Sequence, residues 1–199
     1  MIASAADPTF RNQQIGPRRR PGVRWRGARR AGTVHVVTGP ASVAELFRDA
    51  MAGLCSGVAV LTARRPDARP CGLVATSVSA FSAAPPSVLT SIGHASRCHH
   101  ALAECEHFGV HLLSADQERL AHVFASLAED KFDGVDWSWD ADVPRIDGAL
   151  AYLRCRRSAL FELYDHSILI GDVMGGGRAP GEPLVYLDRR MDWRVQAAG

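Results

Sequence analysis

Ala75-Thr76-Ser77-Val78-Ser79-Ala80-Phe81-Ser82-Ala83-Ala84-Pro85-Pro86-Ser87-Val88-Leu89 is the stretch on which the reading of this chain turns. Its small and hydroxyl-bearing residues lie between Gly72 and a double proline. Such residues let backbone amides come close to an anion or a flat ring, and their hydroxyls add donors. Pro85-Pro86 excludes helix and imposes an extended exit into an apolar run that ends at Ile92. The local expectation is a polar cradle followed by a buried strand.

Upstream, Ser42 with Glu45 three residues on predicts a capped helix over 43–54, whose apolar residues Val43, Leu46, Phe47, Ala50, Met51 and Leu54 fall on one face. The β-branched run 57–63 and the segment 71–77 read as two strands joined by a charged loop. Downstream, 87–92 is a third strand and 96–106 a short helix. Next come a strand over 108–113 and a helix from Ser114, with Gln117 in the box position, to about 125. Residues 129–148, rich in Asp, Gly, Trp and Pro, are expected to be irregular. Strands follow at 149–161, 167–177 and 183–188, with an edge strand at 191–195. About seven strands with three peripheral helices describe a mainly β protein, an antiparallel barrel with helical decorations. A doubly wound nucleotide fold is disfavoured. Gly175-Gly176-Gly177 leads into Arg178-Ala179-Pro180-Gly181 rather than a helix, and the only lysine, Lys131, is in no phosphate-loop motif.

The 199 residues suit one domain plus a tail, and a 47% hydrophobic content excludes disorder throughout. Residues 1–32 hold eight arginines against one acid, +7 in a chain of net +2, so the remainder carries −5. This tail has no apolar periodicity and is expected to be disordered, with the domain running over 33–199. A nucleic-acid arm is the functional reading of the arginines. The acidic domain without a nucleic-acid motif favours a leader of no such role, or a start site assigned too far upstream. No apolar run is long enough to span a bilayer and no secretory segment is evident, so a cytoplasmic protein is expected.

Cys55, Cys71, Cys98, Cys105 and Cys155 are odd in number and lack Cys-x-x-Cys spacing, which reads as small buried residues rather than disulfides. Cys98 and Cys105 lie among His94, His99, His100, His107 and His111, but the spacings match no zinc module.

The quoted run, together with Gly148-Ala149-Leu150 and Tyr164-Asp165-His166, resembles the flavin reductase-like family over about residues 42–195. That resemblance implies a split β-barrel binding flavin mononucleotide (FMN) or FAD, and hydride transfer from NADH or NADPH to the flavin. It also implies a homodimer with flavin at the subunit interface and a separate monooxygenase that receives the reduced flavin. By the same resemblance Ala75, Thr76, Ser77 and Ser79 form the cradle. Ser91, Ser96 and Arg97 lie in the strand-to-helix turn that seats the phosphate, and Lys131-Phe132 adds a further contact. Its implied catalytic residue is His166, beside the docked nicotinamide. Two departures stand out. Val74 replaces a threonine common two residues after the glycine, and Tyr164 replaces the glycine of a Gly-Asp-His triplet. A non-catalytic flavin-binding or sensing module on the same fold is the alternative, in which His166 has no special role.

Overall fold

The computed structural model describes residues 38–195, and the arginine-rich stretch 1–32 lies outside them. Helix α1 spans Pro40–Ala52. Proline fits the first helical position because its missing N–H has no helical partner there. Ser42, expected as the cap, instead donates its hydroxyl back to the Gly39 carbonyl at 2.7 Å. The end of α1 is held by Asp188, whose N–H reaches the Ala52 carbonyl at 2.7 Å.

From there the chain is built of strands β1 (Ser56–Gly57), β2 (Ala59–Arg64), β3 (Pro70–Ala75), β4 (Ser79–Ala83) and β5 (Pro86–Gly93). Helix α2 (His99–Glu104), β6 (His107–Leu112) and helix α3 (Glu118–Ala125) follow. The remaining strands are β7 (Trp137–Asp140), β8 (Val143–Ile146), β9 (Ala151–Leu163), β10 (His166–Arg178) and β11 (Val185–Tyr186). Seven of them form one antiparallel sheet in the order β3-β2-β6-β9-β10-β5-β4. Small pairs β1–β11 and β7–β8 complete the described strands.

The sheet curls until β3, first in the order, reaches β5, sixth. A side chain bridges this seam. Ser77 Oγ lies 3.0 Å from Thr90 Oγ1, donates to the Ser91 carbonyl at 3.2 Å and accepts the Ser91 N–H at 3.1 Å. The architecture is therefore the curled, mainly β arrangement expected.

Alternation along β2 sends its side chains to two cores. Leu61 and Ala63 join Phe108, Val110, Cys155, Leu169 and Ile92 inside the curl. Val60 packs on the other side with Val58, Phe124, Phe132, Ile146 and Leu184, where α3 and the β7–β8 hairpin lie. Hence all of β2 except its last residue is buried.

Several elements differ from expectation. Residues 129–148 are not wholly irregular, since β7 and β8 pair across a two-residue turn. The aromatic–polar alternation of Trp137-Ser138-Trp139-Asp140 is the signal that composition obscured. Strand β4 was not foreseen because its Ser and Ala residues lack apolar alternation and it is an edge strand with no buried residue. Helix α2 begins at His99, three residues later than expected. No strand forms over 191–195; there Trp193 Nε1 donates to the Leu187 carbonyl at 2.8 Å. Cys55 is exposed, unlike buried Cys71, Cys98 and Cys155. No helix among the described residues is long and apolar enough to cross a membrane.

Candidate active site

The ends of β3 and β5, the turn into α2 and the segment after α3 enclose a cavity of about 440 Å³. That volume lies within the usual range for small-molecule sites. Of the residues singled out from sequence, Ala75, Thr76, Ser77, Ser91, Ser96, Arg97, Lys131 and His166 line it. They come from four separate stretches of chain.

Leu73, Val74, Ile92, Phe124 and Leu127 supply apolar wall. Phe124 of α3 reaches this position over Gly72, where a Cβ would stand 2.5 Å from its ring. A side chain at Gly72 would have to displace the Phe124 ring. Two cations reach the α3 side. Arg97 donates to the Leu127 carbonyl at 3.0 Å, and Lys131 donates to the Phe124 carbonyl at 2.8 Å. Burial pushes the Lys131 ammonium below its ordinary range. Each cation keeps further donors beyond that one bond.

Ser96 shapes the turn. Its hydroxyl accepts the Cys98 N–H at 3.2 Å, and its carbonyl accepts the His99 N–H at 3.0 Å. Because α2 is only six residues long and starts at His99, the anionic preference of this turn rests on Arg97 more than on a helix dipole.

His166 opens β10, paired with Gly93 on one side and Leu163 on the other. A Cβ on Gly93 would lie 3.5 Å from His166 Nε2, which places the imidazole beside that glycine. Its Nδ1 is 2.8 Å from Asp165 Oδ1, leaving Nε2 toward the cavity. The hydrogen bond from His166 is the chief reason the Asp165 carboxyl is held below its ordinary range.

Two singled-out residues lie elsewhere. Phe132 is buried in the second core, edge-on to Phe124 and Trp137 at 5.2 Å each. Ser79 lies on edge strand β4 opposite Leu89, and its hydroxyl reaches only the Ala80 carbonyl at 3.3 Å. Phe124 and Leu127 were not foreseen as wall; helical periodicity marks Phe124 as buried but not what it faces. Hollows of similar volume exist. In the 380 Å³ hollow beside Asp140, Arg145 pairs with Asp147 at 3.3 Å and Tyr152 with Asp140 at 2.9 Å.

A family described as "Flavin reductase like domain" matches residues 51–193. The chain belongs to the flavin reductase-like family. It is 39% identical over 141 residues to the FMN reductase (NADH) SmoA of Agrobacterium fabrum, covering 70% of this chain and 80% of that one. It is 35% identical over 140 residues to the reductase component of a 4-nitrophenol 4-monooxygenase/4-nitrocatechol 2-monooxygenase of Rhodococcus opacus, covering 70% and 75%. Among solved structures, the NADH:FAD oxidoreductase SgcE6 of Streptomyces globisporus, in complex with NAD and FAD fragments, superposes with a TM-score of 0.72 at 32% identity. That match covers 82% of this chain and 98% of the other. For a flavin reductase-like protein, the donor set fits its cofactor. Apolar walls suit a flat ring, neutral hydroxyls and amides suit the ring's polar edges, and paired cations suit a phosphate.

Proposed function

We propose that this protein is an NAD(P)H:flavin oxidoreductase that supplies reduced flavin to a separate monooxygenase. One observation carries the reading: a single cavity joins Arg97 and Lys131 on its α3 side to His166 on its β10 side, with apolar walls and neutral hydroxyls between. FMN is the favoured flavin, with FAD accommodated, and NADH the favoured reductant over NADPH, as in the relatives named for those activities.

When bound, the flavin supplies the acceptor N5 for the hydride leaving C4 of the nicotinamide. The chain's residues bind and orient. Arg97, Lys131 and Ser96 hold the phosphate, while Ala75, Thr76, Ser77 and Ser91 bracket the ring edge. His166 Nε2 is free to hydrogen-bond the nicotinamide carboxamide, its ring fixed by Asp165. Ser79 and Phe132 act at a remove, as sheet edge and core. Most of the residues lining the cavity are neutral, which suits a flavin that leaves after reduction.

We further propose a cytoplasmic homodimer with flavin at the interface. Cross-strand pairs place Phe161, Ile168 and Ser91 in one row, and Leu163, His166 and Gly93 in the next. Phe161, Leu163 and Ile168 are exposed apolar side chains on the face that carries the cavity-lining residues, an arrangement a second copy would cover.

Anaerobic stopped-flow mixing of NADH with protein and FMN tests the function. Bleaching of the visible flavin band that saturates with NADH is expected. In His166→Ala that step should slow about tenfold, the worth of one good hydrogen bond, while flavin is retained. Flavin that binds but stays oxidised with both nicotinamides would favour the binding-module alternative.

A further inference from the structure

Behind the phosphate side of the cavity lies a pair of thiols that flavin reduction does not use. Cys71 of β3 and Cys98, the residue before α2, are both buried in the same core cluster. Both open on a narrow crevice shared with Arg65, Arg97 and Lys131. Cys98 Sγ also donates to the Gly72 carbonyl at 3.1 Å. The neighbouring Cys71 thiol, then the positive charges of Lys131 and Arg65, hold the Cys98 thiol below its ordinary range, while Cys71 is pushed up by its Cys98 neighbour and by burial. The pair thus divides into a nucleophile and a resolving partner.

We propose that Cys71 and Cys98 form a peroxide-oxidisable dithiol whose disulfide weakens flavin binding. The oxidant is hydrogen peroxide, which dioxygen becomes on two-electron reduction by reduced flavin that no monooxygenase has captured. Cys98 thiolate attacks one peroxide oxygen, the O–O bond breaks, and hydroxide leaves as water after taking a proton, giving a sulfenic acid. Cys71 sulfur then attacks the Cys98 sulfur and expels the second water. Two thiols are oxidised, one peroxide is reduced, and two waters are released.

The consequence for the site follows from what can move. A disulfide needs its sulfurs at about 2.05 Å, well inside the contact distance of two unbonded sulfurs. Cys71 is fixed in the β2–β3 ladder opposite Ala63. Cys98 belongs to an irregular turn held by Ser96 Oγ. The turn is therefore the part that shifts, and it carries Ser96 and Arg97 with it. Arg97 is drawn from the Leu127 carbonyl that now sets its guanidinium at the cavity's edge. Peroxide from uncoupled turnover thereby slows the reductase that produced it.

This inference rests on the flavin reading of the cavity, and the experiment separates the two. Reduced protein is treated with hydrogen peroxide, quenched with a thiol alkylator, and mapped by non-reducing peptide mass analysis. FMN affinity is measured on the same samples by flavin fluorescence. A Cys71–Cys98 linkage is expected, with FMN binding weakened about tenfold, the worth of one charge-assisted hydrogen bond, and restored by dithiothreitol. Cys71→Ser should bind FMN like the parent before peroxide and show no dithiothreitol-reversible loss of affinity after it. Alkylated free thiols at both positions after peroxide overturn the dithiol. A linkage that leaves FMN affinity unchanged overturns its coupling to the site. Reduced protein that binds no FMN overturns both the function and the coupling, while the map alone still decides the dithiol.

Discussion

Ser77 and Ser79 are two residues apart in one hydroxyl-rich run, yet they have different jobs. Ser77 commits its hydroxyl to Thr90 and Ser91, tying the end of β3 to β5 at the cavity's rim. Ser79 makes one long contact to its own neighbour's carbonyl. Ser77→Ala should therefore cost about 1 kcal/mol of stability, the net worth of a typical hydrogen bond, and weaken FMN retention as the seam loosens. Ser79→Ala should change neither. Urea unfolding and FMN titration on both variants check this, and equal effects would mean the seam is not where the hydroxyl acts. Residue types in the run announce donors near a flat ring or anion. They do not say which hydroxyl faces inward, because that depends on how far the sheet curls, a property set by strands distant in sequence. Phe132 is the same case. An aromatic next to Lys131 reads as site, but the core between α3 and the β7–β8 hairpin claims its ring.

The β9–β10 hairpin turns through Tyr164 and Asp165, with Leu163 paired to His166. Tyr164 has φ +56°, a left-handed conformation at the first turn position, where II′ hairpin turns favour glycine. An L-residue with a Cβ is strained there by about 1–2 kcal/mol. The Tyr164 side chain is 91% exposed and offers little packing in return. Tyr164→Gly is therefore expected to raise stability by about 1 kcal/mol, somewhat less than the strain because glycine also frees the unfolded chain. Thermal unfolding at several denaturant concentrations reads the change; an unaltered or lower midpoint would show that the turn is relaxed as it stands. Strong periodicity made most elements legible, including the long β9 and β10 and helix α3. The elements missed are those whose stability is tertiary. Edge strand β4 forms because β5 is there to pair with it, and β7 and β8 form because Trp137 packs on Phe132 and Ile146 closes the second core.

At the scale of the whole molecule, two cores share β2, and His111 is stitched between them. Its Nδ1–H donates to the Val60 carbonyl at 3.2 Å, and its Nε2 accepts the Ile146 N–H at 3.1 Å, linking the main sheet to the β7–β8 hairpin. The ring stacks on Tyr152 with centroids 4.9 Å apart, and no part of it reaches solvent. In the sequence it was one histidine among several beside two cysteines, and only the sheet order shows that its ring lies in the interior. Both ring nitrogens are used in the neutral form, so a proton at Nε2 would set two donors against each other. Burial, first, lowers the His111 pKa from about 6.5 to about 4. The folded value lies below the unfolded one, so the unfolded chain binds the extra proton. The associated stability is fully present above about pH 6.5 and is lost as pH falls toward 4. The full loss is on the order of 3 kcal/mol, from the shift between those values. Urea midpoints should thus fall between pH 7 and pH 5, above the range in which carboxylates protonate. His111→Gln, which keeps a donor and an acceptor but cannot titrate, should be less stable at pH 7 and show a flatter profile over the same interval. A variant slope as steep as the parent's would show that the acid sensitivity does not come from His111.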